Sequence, residues 1–188
     1  MVDQPRHTGD SNTACTAFGV RITSRHELGE RIRALRARGQ VRTIVLANGC
    51  FDLLHAGHIR YLEDARSRGD FLVVALNSDR SVRAIKGPGR PLMPLAERAE
   101  IVGALRCIDA VTSFDEADLE TTLRVLRPDV HAKGADYTAA SVPEASVDRE
   151  LGIEVAICGD PKDHSTSDLL RRIARETCDD RGKAQSGF

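Results

Sequence analysis

Two histidines three residues apart, His55 and His58, enclose Ala56-Gly57 in the segment Asn48-Gly49-Cys50-Phe51-Asp52-Leu53-Leu54-His55-Ala56-Gly57-His58. A histidine ring nitrogen can donate to a phosphate oxygen. A glycine between two such rings lets the backbone come close to the same phosphate, because no side chain intervenes. The flanks place this group. Residues 41–47 (VRTIVLA) are apolar and rich in β-branched side chains, without Pro or Gly, and predict a buried strand that Gly49 ends. Ile59, Leu62 and Ala65 then recur at helical spacing, with Arg60, Glu63, Asp64 and Arg66 on the other side. Gly57 and His58 thus sit at a helix start, where unpaired N–H groups and the positive dipole end attract anions. By spacing alone, the pair also fits a structural role at the helix start, or half of a zinc site. No Cys, Asp or Glu completes a ligand set, so no metal ligand is assigned.

Other residues suit the same chemistry. Lys86 opens Lys-Gly-Pro-Gly-Arg-Pro (86–91), the kind of loop that can close over a ligand and carry a cation to it. Ser165 and Thr166 stand where the last helix begins, and their hydroxyls either cap that helix or face a phosphate. Arg98 lies on the helix after the loop. Judged singly, Lys86 also fits a surface turn and Arg98 a solvated helix face. No Walker motif is present, and no Gly-x-Gly-x-x-Gly opens a helix.

The elements that must position these groups alternate. Ser24 and Glu27 form a capping-box signature for a helix ending near Arg38, before Gly39. Further apolar strands are expected at 71–76, 110–112, 129–132 and 154–158. Helices are expected at 58–67, 95–105, 115–126, 143–151 and from about residue 164. This order implies an α/β fold: one Rossmann-like, doubly wound parallel sheet of about five strands with helices on both faces. Ligands bind such sheets beyond the carboxyl ends of the strands. Segments 48–58, 77–79 and 133–137 and the start of the last helix all fall there. Residues 1–20 are expected to be flexible, 21–176 to form the domain, and 177–188 to be a flexible tail.

The composition fits this picture. Of the 188 residues, 41% are apolar and 29% charged, the balance of a globular chain rather than a disordered one. A net charge of −1 gives no support to non-specific nucleic-acid binding. Five cysteines (15, 50, 107, 158 and 178), odd in number and without metal spacing, suit a reducing compartment. Cys50 reads as a small packing residue rather than a nucleophile. No stretch approaches the length of a membrane span, so a cytoplasmic location and no membrane partner are expected.

Residues 48–58 resemble the His-x-Gly-His signature of the nucleotidyltransferase superfamily, which is related to class I aminoacyl-tRNA synthetases. The likeness is nearer to its cytidylyltransferase-like branch. Within that, it is nearest to the adenylyltransferases that convert D-glycero-β-D-manno-heptose 1-phosphate to ADP-heptose. It runs from about residue 24 to 175 and includes Ala-Leu-Asn-Ser-Asp (75–79), Lys86–Pro91, the helix with Arg98, Lys133-Gly134-Ala135-Asp136-Tyr137 and Ser165-Thr166-Ser167.

The resemblance implies transfer of AMP from MgATP to a sugar 1-phosphate, with release of pyrophosphate. Magnesium would be held mainly by the nucleotide's phosphates, and a homodimer is implied. His55, His58 and Lys86 would act at the phosphates. Asn48, Cys50, Phe51, Asp52 and Gly57 would line or orient the nucleotide site, and Arg98 would support phosphate binding. Gly134 and Asp136 would line the nucleoside pocket, and Ser165 and Thr166 would hold the β- and γ-phosphates. Ala135 departs from a second glycine common in that branch, and His131 and His164 are unusual neighbours. Three alternatives remain open: a cytidylyltransferase acting on glycerol 3-phosphate or a similar small phosphate ester, an FMN adenylyltransferase, and a nucleotide-binding module without catalysis.

Overall fold

In the computed structural model, the described residues are 22–138, 140–160, 170, 171 and 175. Helix α1 (Arg25–Ala37) begins with the expected capping box: Ser24 Oγ accepts from Glu27 N, and the Glu27 carboxylate accepts from Ser24 N. The chain then alternates through β1 (Ile44–Gly49), α2 (Ala56–Ser67), β2 (Phe71–Asn77), α3 (Asp79–Lys86), α4 (Leu95–Gly103) and β3 (Ala110–Phe114). It continues with α5 (Glu120–Leu126), β4 (Val130–Gly134), α6 (Ala145–Leu151) and β5 (Glu154–Cys158).

All strand pairs are parallel and the sheet order is β3-β2-β1-β4-β5. The chain therefore builds outward from β1 through β2 to β3, then crosses back to lay β4 on the other side of β1. This reversal leaves a crevice beyond the carboxyl ends of β1 and β4.

Strand alternation feeds two cores. Val45, Ala47, Val130 and Ala132 pack on one face with Tyr61 and Leu62 of α2 and Val102 of α4. Ile44, Leu46, Val73 and Ala75 pack on the other with Leu28 of α1, Leu123 of α5 and Val147 of α6. Both faces of the central strands are buried, as continuous apolar runs such as FLVVAL require.

Two expectations are corrected. Residues 79–86 form α3, where no helix was expected, because eight residues are fewer than the span over which a helical repeat is read. Its start is set by Ser78, whose side chain accepts from Ser81 N. The helix expected from residue 115 begins at Glu120 instead. Asp115 is committed to Ser78 and Arg80, and Glu116 pairs with Arg25. The expected flexible segment 1–20, the tail 177–188, and Ser165, Thr166 and His164 lie outside the described residues.

Gly69 shows how tightly α2 returns to the sheet. A Cβ there would lie 2.7 Å from Thr43 O and 2.7 Å from Val45 Cγ2, while Asp70 N and Phe71 N both donate to Thr43 O. Gly69→Ala is expected to destabilise the fold by about 1–3 kcal/mol through overpacking. Thermal unfolding checks this, and an unchanged midpoint would refute it.

Candidate active site

A cavity of about 550 Å³ occupies the crevice between β1 and β4. Among its lining residues are nine singled out from sequence: Asn48, Cys50, Phe51, His55, Gly57, His58, Lys86, Gly134 and Asp136.

The turn between β1 and α2 is shaped by Phe51, which adopts φ 47°, a left-handed conformation uncommon for a bulky residue. That turn brings its ring to 5.2 Å from the His58 ring and 6.4 Å from the Tyr61 ring, centroid to centroid. Tyr61 is fixed in turn by donating to Ala132 O at 2.8 Å. His55 is the N-cap residue of α2, and its carbonyl accepts from His58 N and Ile59 N. Its imidazole does not cap the helix; it stacks on His58 with centroids 3.9 Å apart. Two stacked imidazoles thus stand at a helix N-terminus on the wall of a cavity, a placement suited to an anion.

Lys86 reaches the same cavity from the last turn of α3, not from within a loop. It is exposed and forms no ion pair among the described residues. The loop after it is tied down by Asp52, which is buried. The Asp52 carboxylate accepts from Leu92 N at 2.7 Å, from Met93 N at 3.0 Å and from the Arg90 guanidinium. Asp52 therefore orients the loop rather than facing the cavity.

Arg98 is not brought to the cavity. Its side chain is 0% exposed, so any support it gives to phosphate binding comes from beneath the site. It donates to Met93 O, Cys50 O, Asn77 O and Asp79 Oδ1, at 3.1, 2.6, 2.9 and 2.7 Å.

Lys133, given no role from the sequence, also lines the cavity. Its ammonium lies 3.0 Å from Glu144 Oε2, donates to Asn48 Oδ1 at 3.1 Å, and sits 5.3 Å from the centre of the Tyr137 ring. Burial pushes the Glu144 carboxyl up, but Lys133 and His131 outweigh it and hold the group below its ordinary value. A signal was present: a lysine within a central strand must be paired if it is buried. Nothing local marked Glu144 as its partner. His131 is also buried, with Nδ1 at 3.0 Å from both carboxylate oxygens of Asp148, on the side of the sheet away from α2.

Burial raises Cys50 above its usual value despite Lys86 and Arg98, and burial together with Asp64 pushes Cys158 up to about 11. This fits packing better than nucleophilic attack.

The sequence profile described as cytidylyltransferase-like matches residues 46–172. The bifunctional protein HldE of Streptomyces coelicolor is 50% identical over 141 residues, covering 75% of this chain and 30% of that protein. HldE of Syntrophotalea carbinolica is 44% identical over 156 residues, covering 83% of this chain and 31% of that protein. The chain thus spans about three tenths of the length of these curated relatives. A lipopolysaccharide core biosynthesis protein from Thermoplasma volcanium has a similar structure, with a TM-score of 0.55 and 26% identity. That match covers 64% of this chain and 98% of the other.

Proposed function

The chain belongs to the cytidylyltransferase-like family, and on that premise we propose that it transfers AMP from MgATP to a sugar 1-phosphate, releasing pyrophosphate. D-glycero-D-manno-heptose 1-phosphate is the proposed acceptor, which would make ADP-heptose the product. The observation that carries the reading is the stacked His55–His58 pair at the start of α2, facing a cavity that Lys86 enters from another element.

The chemistry asks little of a general base. An acceptor phosphate oxygen, already anionic at neutral pH, attacks the α-phosphorus of ATP. A new P–O bond forms, the bond to the β-phosphate oxygen breaks, and pyrophosphate leaves with its electron pair. The protein's task is positioning and charge stabilisation. In this reading His55 and His58 donate to the triphosphate, and Lys86 supports the α-phosphate or the acceptor phosphate. Gly134 and Asp136 border the nucleoside, and Ser165 and Thr166 hold the β- and γ-phosphates. Magnesium would neutralise phosphate charge. Such an ion would be held mainly by phosphate oxygens and water.

The test is a screen of ATP and CTP against heptose 1-phosphate and glycerol 3-phosphate, with product masses measured. ADP-heptose with stoichiometric pyrophosphate is expected. A CDP-linked product would replace the reading with cytidylyl transfer, and nucleotide binding without any product would reduce it to a binding module.

A further inference from the structure

Residues from both faces of the sheet line the cavity. Val45, Ala47, Val130 and Ala132 face α2, so strand alternation carries Gly134 to the side that holds His55 and His58. Leu46 and His131 face the opposite side, and the same alternation carries Asn48 and Lys133 there. The Asn48–Lys133 hydrogen bond joins these two on that side.

Two rungs join β4 to the start and first turn of α6 on this side of the sheet. His131 meets Asp148, and two residues further along the strand Lys133 meets Glu144, one helical turn before Asp148. The inner rung is closed off, with both side chains 1% exposed or less. The outer rung borders the cavity, with both side chains 6% exposed. Glu144 is further held by Leu119 N, which donates to Oε1 at 3.3 Å.

This pair has an electrostatic consequence. Glu144 neutralises Lys133, so a phosphate nearing that ammonium would also meet a carboxylate. Lys86, without such a partner among the described residues, is the better phosphate cation. An ammonium and a carboxylate side by side instead offer a donor and an acceptor together, which is what adjacent hydroxyl groups match.

We propose that the Lys133–Glu144 pair, with Asn48, recognises the hydroxyl-bearing body of the acceptor and so selects a polyhydroxylated phosphate ester. The inference rests on the nucleotidyl-transfer reading and adds the element that chooses its second substrate. The test is the double variant Lys133→Met/Glu144→Gln, which removes both charges together and strands neither in a buried site. Its KM values for ATP and for heptose 1-phosphate are measured separately, after a thermal melt establishes folding.

Loss of charge-assisted hydrogen bonds is expected to raise the acceptor KM about 10- to 100-fold and to leave the ATP KM within about twofold. Should the double variant not fold, Glu144→Gln alone is expected to raise the acceptor KM several-fold with the same split. An unchanged acceptor KM, or a parallel rise for both substrates, would overturn the proposal. Wild-type protein that turns over no sugar phosphate would instead overturn the transfer reading, and this proposal with it.

Discussion

His58→Ala is expected to lower pyrophosphate release by about 10²–10³-fold, the usual cost of losing one donor aimed at developing charge. His58 is the third residue of α2, its ring held between His55 at 3.9 Å and Phe51 at 5.2 Å, and it lines the cavity. The two stacked rings and the helix N-terminus converge on one volume, so a phosphate there meets all three. His58→Gln keeps one donor of similar reach and is expected to recover part of the loss. His58 is only partly buried, so the melting temperature should change little in either variant. Lys86→Ala should give a similar kinetic loss from the opposite wall. Near-wild-type turnover in folded His58→Ala would overturn the assignment.

Much of this site could be read in the chain because its carriers are local. The run into Gly49, the glycine between the histidines and the periodicity after Ile59 fix a strand-turn-helix without reference to anything distant. The parallel sheet followed from alternating apolar runs, and its carboxyl edge then gathered the motif segments. What escaped depends on contacts far along the chain. Lys133 meets Glu144 across the loop from β4 to α6, and nothing in either short segment announces the other. Helix α3 escaped because, at eight residues, it is too short for a helical repeat to stand out. The burial of Arg98 escaped for a related reason: an arginine on a helix looks the same in sequence whether it faces solvent or the turns beneath a site.

Arg98→Leu is expected to cost about 3–5 kcal/mol, because several backbone carbonyl groups lose their donor at about 1–3 kcal/mol each, while the 40% exposed Asp79 carboxylate can turn to water. For a domain of this size that corresponds to a fall of about 6–20 °C in melting temperature. The four acceptors belong to four segments. Met93 precedes α4, Cys50 lies in the histidine turn, Asn77 ends β2, and Asp79 begins α3, whose other end carries Lys86. Truncation strands three carbonyl groups and frees the turn, the strand end and the helix start to move independently. A misplacement of about 1 Å at such a site can cost 10²-fold in rate, so kcat should fall even in the folded fraction. Arg98→Lys keeps the charge but offers a single point of donation in place of a planar fork, and is expected to lie between Leu and wild type in both stability and kcat. A direct phosphate ligand would behave differently: the ATP KM would rise while the melting temperature held. An Arg98→Leu protein that melts within about 2 °C of wild type would contradict the geometry, because the lost donors would then cost far less than unsatisfied buried carbonyl groups do.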